Sequence, residues 1–143
     1  MVMFPNRFSS QLSSDPRLLA VKSSHRAQVL IMEDEPLVAL ELQILLEDMG
    51  HQVCAVVDTE ADAVREADAT LPDLVIADIQ LRQGNGVRAM ERIAGRREVP
   101  VIFVSGNQTF TPNPQIRTAR FIAKPFRVEN LRKAVADIIA GAE

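Results

Sequence analysis

The sequence predicts an α/β fold: a doubly wound parallel sheet of five strands with helices on both faces. Two observations carry this. Short apolar runs rich in β-branched residues, such as "QVLIM", "LVIA" and "VIFV", recur along the chain, as expected of strands buried on both faces. Between them lie segments of helical period, and regular alternation of the two types implies parallel strands joined by crossover helices. The length of 143 residues supplies one core of ordinary size, and 47% hydrophobic with 24% charged residues is a usual globular balance.

Residues 1–26 are rich in Ser, Pro and Arg and keep no period, so they are read as a flexible extension with at most a helical turn around Arg17–Val21. The domain proper is expected over 27–143. "QVLIM" is the first strand. Pro36 suits the first turn of a helix that runs to Met49, with Val38, Leu42, Leu45 and Met49 inward and Gly50 as its stop. "HQVCAVV" is the second strand. Thr59 and Asp62 resemble a capping box that opens a helix with Ala61, Val64, Ala67 and Leu71 inward. "DLVIAD" is the third strand, "GVRAMERIAG" a third helix, "PVIFVSG" the fourth strand and "RFIA" the fifth. A last helix from Val128 to about Ala140 is expected to bury Val128, Leu131, Val135 and Ile138.

Composition narrows the function classes. A net charge of −3 without a basic stripe gives no sign of direct nucleic-acid binding. No apolar run reaches the ~20 residues of a membrane span. The N-terminus lacks the layout of a secretion signal, so a cytoplasmic protein is expected. The lone Cys54 excludes an internal disulfide and reads as a small core residue.

In open α/β sheets ligands bind beyond the carboxyl ends of the strands. The first strand ends at Glu33 and Asp34, the third at Asp78, the fourth at Ser105, and the fifth just before Lys124. Crowded like charges repel: two at ~4 Å cost roughly 4 kcal/mol at an effective dielectric of about 20. Glu33, Asp34 and Glu35 therefore require something positive, and Lys124 with a divalent cation would supply it. Oxygen donors suit Mg2+, with Asp34 and Asp78 as direct ligands and the longer Glu33 acting through water. A carboxylate can also attack phosphorus, which makes Asp78 a candidate acceptor, with Lys124 and the Ser105 hydroxyl balancing the phosphoryl oxygens.

"VLIMEDEPL", the Asp of "LVIADIQL", the Ser of "PVIFVSG" and the "KPF" of "FIAKPF" together resemble the response-regulator receiver family over about residues 27–140. The resemblance implies a flavodoxin-like strand order 2-1-3-4-5 and a cis Lys124–Pro125 bond. It implies Glu33 and Asp34 as the acidic metal pair, Asp78 as phosphoacceptor and Gln80 as a backbone-carbonyl ligand. Ser105 becomes the switch hydroxyl, Lys124 the phosphate contact and Phe121 the aromatic that reorients with Ser105. The phosphodonor would be a phosphohistidine on a sensor histidine kinase or phosphotransfer protein, and the product a phosphorylated signalling protein rather than an enzyme. Because no effector module follows in the sequence, a stand-alone receiver is expected. It would signal by binding an unknown downstream protein or by phosphorelay.

Two departures stand out. Where the family has a helix between the fourth and fifth strands, this chain has "GNQTFTPNPQIRTAR". Two prolines in a helix interior cost ~3 kcal/mol or more each, so a short or irregular segment is expected there. "FVSGNQ" resembles a subgroup with a Phe-Ala-Thr-Gly-x-Tyr run, often used in general stress signalling. Phe103 and Gly106 match it, while Gln108 replaces the tyrosine. Phe121 lacks a hydroxyl, so its coupling to Ser105 must run through packing.

Three rival readings are weaker. A haloacid-dehalogenase-type phosphatase or phosphotransferase needs a second Asp where Gln80 stands. A flavin-binding module needs a hydroxyl-rich phosphate loop where "MEDEP" would repel phosphate. A phosphohistidine carrier would have to use His25 or His51, neither on an exposed helix face.

Overall fold

The computed structural model describes residues 26–106 and 114–141. The elements are β1 (Gln28–Met32), α1 (Pro36–Asp48), β2 (Gln52–Val57), α2 (Glu60–Thr70) and β3 (Leu74–Ala77). They continue with α3 (Gly86–Ala94), β4 (Val101–Ser105), β5 (Thr118–Ala123) and α4 (Val128–Gly141). All five strands are parallel, in the order β2-β1-β3-β4-β5.

Strand alternation divides the core into two layers. Leu30, Met32, Val75, Ala77, Val101 and Phe103 face α2 and α3, where Ala63, Val64, Ala67, Ala89, Met90 and Ile93 meet them. Val29, Ile31, Leu74, Ile76, Ile102 and Val104 face α1 and α4. The sheet is thus wound on both sides, and its central strands are buried along their whole length.

Strand positions follow the expectation closely, but helix faces differ from it. In α1 the buried residues are Ala39, Leu42, Leu45 and Leu46, while Val38 and Met49 only flank the core. In α2 the inward set is Ala63, Val64 and Ala67; Ala61 and Leu71 are exposed. Leu71 lies past the helix end in the left-handed region at φ 52°, which turns it away from the core. In α4 Leu131, Ala134, Val135 and Ile139 are buried, whereas Val128 is exposed and Ile138 only partly covered. Cys54 is half-buried rather than a core residue, because β2 is an edge strand.

The Thr59 cap forms as expected: its Oγ1 accepts from the Asp62 amide at 3.1 Å. Between β4 and β5, residues 114–117 make a turn and bend, with Ile116 anchored in the core; Phe110 and Pro112 lie outside the described residues. So does the expected extension, apart from Arg26, whose guanidinium donates to Gln52 Oε1 at 3.2 Å.

Candidate functional site

The backbone ladder brings the polar strand ends together. Glu33 follows β1, and its amide donates to the Val57 carbonyl at 2.9 Å. Asp78 follows β3, and its amide donates to the Met32 carbonyl at 2.8 Å, which sets it beside the end of β1. Ser105 closes β4. Lys124 leaves β5 with its amide on the Ser105 carbonyl at 3.0 Å, and the Lys124–Pro125 bond is cis. An open cleft of about 760 Å³ results, lined by Asp34, Glu35, Asp78, Gln80, Ser105, Gly106 and Lys124.

Lys124 Nζ is the hub. It lies 2.8 Å from Glu33 Oε1, 2.9 Å from Asp78 Oδ2 and 2.9 Å from Glu35 Oε1. The Glu33 carboxylate is buried and also accepts from the Glu35 amide at 3.1 Å; Asp78 Oδ1 accepts from the Gln80 amide at 3.1 Å. Burial raises the Glu33 carboxyl above its ordinary range, only partly offset by Lys124 and the Glu35 amide. For Lys124, burial works to lower the ammonium. The hydrogen bonds to Asp78, Glu33 and Glu35 outweigh it and hold the group charged well above its ordinary value. The ammonium is therefore the positive partner that the acidic strand end required.

Carboxylate oxygens of Glu33, Glu35 and Asp78 come within 4.8 Å of one another, and Asp34 stands exposed at the cleft mouth. This all-oxygen donor set fits a hard divalent cation. Asp34, Glu35, Asp78 and Gln80 line the open cleft, so a cation there would meet their oxygens beside the Lys124 ammonium.

Of the residues singled out from the sequence, Asp34, Asp78, Gln80, Ser105 and Lys124 share the cleft, and Glu33 joins it through Lys124. Phe121 does not line it. Half-buried, it pairs with Phe103 across β4 and β5 and packs on the α2/α3 layer. It thus sits on the same sheet face as Ser105, two residues back along the neighbouring strand. His51 is buried, and its Nδ1 accepts from the Ala27 amide at 3.0 Å, a structural role at odds with phosphoryl carriage. His25 lies outside the described residues.

Glu35, one of the three crowded carboxylates expected to need a positive partner, finds it in Lys124. Gly86 was not singled out. It lies against the Asp78 main chain, where a β-carbon would overlap the carbonyl oxygen. The loop between them is tied down by Gln80–Asn85 and Thr59–Gln83 bridges and by an Arg82–Asp58 pair at 3.0 Å. Among the described residues no helix is long and apolar enough to cross a membrane.

Comparison with known proteins identifies the family and the fold. Residues 29–136 match the response regulator receiver domain. The phyllosphere-induced regulator PhyR of Methylorubrum extorquens is 37% identical over 115 residues, covering 78% of this chain and 43% of that protein. The chain thus spans less than half of PhyR. Protein PilH of Pseudomonas aeruginosa is 31% identical, with 80% of this chain and 99% of PilH covered. The solution structure of the PhyR receiver domain from Erythrobacter litoralis superposes with a TM-score of 0.72 at 31% identity, covering 82% and 92% of the two chains. With the family pattern over most of its length and the fold in the matching strand order, this chain belongs to the response-regulator receiver family of two-component signalling proteins.

Proposed function

We propose that this receiver takes a phosphoryl group onto Asp78 from a phosphohistidine of a sensor kinase or phosphotransfer protein. The supporting observation is the placement of Asp78: buried, at the end of a central strand, facing a cleft, with Lys124 Nζ on its Oδ2. In the step, a carboxylate oxygen of Asp78 attacks phosphorus, the N–P bond breaks, and the imidazole nitrogen leaves with the bonding pair. Lys124 carries positive charge to the phosphoryl oxygens, and Ser105, which ends β4 and lines the same cleft, would donate its hydroxyl to one of them. Asp34, Asp78 and the Gln80 carbonyl would hold Mg2+, with Glu33 behind them. Bound there, the cation neutralises charge on the transferring group.

The output is a change of partner binding, or onward phosphorelay, driven by Ser105 and Phe121 moving together through their packing. The likeness of the Phe103–Gln108 run to a subgroup often used in general stress signalling, with Gln108 in place of its tyrosine, supports a pathway of that kind. Incubating the chain with Mg2+ and acetyl phosphate tests the reading. Wild type should gain one phosphoryl group by mass, and Asp78→Asn none, with the fold retained by circular dichroism. Equal labelling of both would remove Asp78 from the role.

A further inference from the structure

Lys124 has three N–H donors, and all three are engaged: Glu33, Asp78 and Glu35 each lie within 2.9 Å of Nζ. The three partners are not equivalent. The Glu33 side chain is 1% exposed and that of Asp78 8%, whereas that of Glu35 is 61% exposed. Withdrawing Lys124 from Glu33 would leave a carboxylate uncompensated inside the fold. Withdrawing it from Glu35 leaves a carboxylate that water solvates at once.

Local structure makes the same distinction. Glu35 is the N-cap of α1, yet its side chain makes no capping hydrogen bond. Short polar residues are preferred at that position because they accept from the first helical amides. Here the carboxylate reaches across to a lysine 89 residues away instead.

We propose that Glu35 is the displaceable counter-ion of Lys124: it holds the ammonium while Asp78 is unmodified and yields to an oxygen of the phosphoryl group. This rests on Asp78 being the acceptor. Phosphorylation ties one Asp78 oxygen to phosphorus and removes the carboxylate's charge, so that partner of Lys124 is replaced by a phosphoryl oxygen. A second anionic oxygen of the same group reaches the ammonium only where Glu35 now sits, and it repels the Glu35 carboxylate as it arrives. Glu35 thereby opposes the phosphorylated state, acting as a positioning residue through Lys124 and not on phosphorus.

The test is a beryllofluoride titration in saturating Mg2+, followed by NMR, of wild type, Glu35→Gln and Asp78→Asn. An exposed ion pair of this kind predicts that Glu35→Gln half-saturates at about two- to five-fold lower beryllofluoride than wild type. Raising the salt to about 0.5 M should close that gap, since the pair is open to screening. Glu35→Ala should behave like Glu35→Gln, because charge and not shape is at issue. Equal half-saturation of wild type and Glu35→Gln at low salt would overturn the inference while leaving the acceptor reading intact. So would a weaker Mg2+ affinity of Glu35→Gln without beryllofluoride, which would make Glu35 a metal ligand. A wild-type chain that takes no beryllofluoride would overturn both.

Discussion

Gly86 and the Asp78 carbonyl are in such close contact that no side chain fits between them: a β-carbon on Gly86 would overlap the carbonyl oxygen. The Gly86 amide also donates to the Ile79 carbonyl at 2.7 Å, so the start of α3 is wedged against the segment leading out of β3. Gly86→Ala must displace the main chain that carries the candidate acceptor. The expected cost is about 1–3 kcal/mol in urea unfolding, as for overpacking elsewhere. Labelling of Asp78 should fall further than the loss of folded protein explains. Wild-type stability and labelling in this variant would show that the contact relaxes freely.

Lys124→Ala should destabilise the chain in a pH-dependent way. Burial already raises the Glu33 carboxyl, and Lys124 is the main partner that opposes the rise. Without it the folded-state value climbs further above the unfolded 4.5. A group whose pKa is higher in the folded state stabilises at low pH, and that stability is lost as pH rises. The deficit relative to wild type should therefore be small near pH 4 and reach about 3 kcal/mol at pH 7. Thermal melts across this range would show it, and a deficit independent of pH would count against the buried pair.

Glu60 links α2 to α3, with Oε1 3.3 Å from Arg88 Nε and Oε2 3.3 Å from Arg92 Nη1. Burial works to raise its carboxyl. The Asn85 amide and the two guanidinium groups outweigh burial and hold the value below the ordinary 4.5. The stabilisation is then present above 4.5 and disappears as pH falls through the lower folded value. Glu60→Gln should cost about 1 kcal/mol at pH 7 and nothing in strong acid. Parallel melting curves at both extremes would refute this account.

Leu71 offers the opposite sign. It closes α2 at φ 52° with 57% of its surface exposed, so it bears backbone strain and buries little in return. Leu71→Gly should stabilise the fold by about 0.5–1 kcal/mol, since glycine takes that conformation without a β-carbon penalty. A lower unfolding midpoint for the variant would mean that Leu71 packs better than its exposure indicates.

The central strands were legible because a strand buried on both faces is almost wholly apolar, and β1 falls on "QVLIM" itself. Helix faces were harder to read. In "PLVALELQILLED" Leu37, Leu40 and Ile44 are exposed, so apolar residues surround α1 and its period does not single out the side led by Ala39. Small residues such as Ala63 and Ala134 also carry core positions that hydrophobicity alone ranks low.

At the site, Asp78, Ser105 and Lys124 could be placed together because parallel crossovers leave every strand pointing the same way. Glu35 was read only as one of three crowded carboxylates sharing a positive partner, and Gly86 was not placed at all. The turn of one carboxylate toward a lysine across the sheet, and the closeness of two backbone segments, depend on side-chain reach and loop path that local pattern does not encode.

The first and last strands supply opposite charges to one corner of the molecule, and this bears on synthesis. A growing chain presents Glu33, Glu35 and Asp78 to solvent long before Lys124 leaves the ribosome. Until then the acidic corner has no ammonium to settle on, and Glu33 cannot be enclosed without penalty. Nascent intermediates stalled short of Lys124 should therefore keep the tip of β1 open to proteases and close it only when the last strand is added.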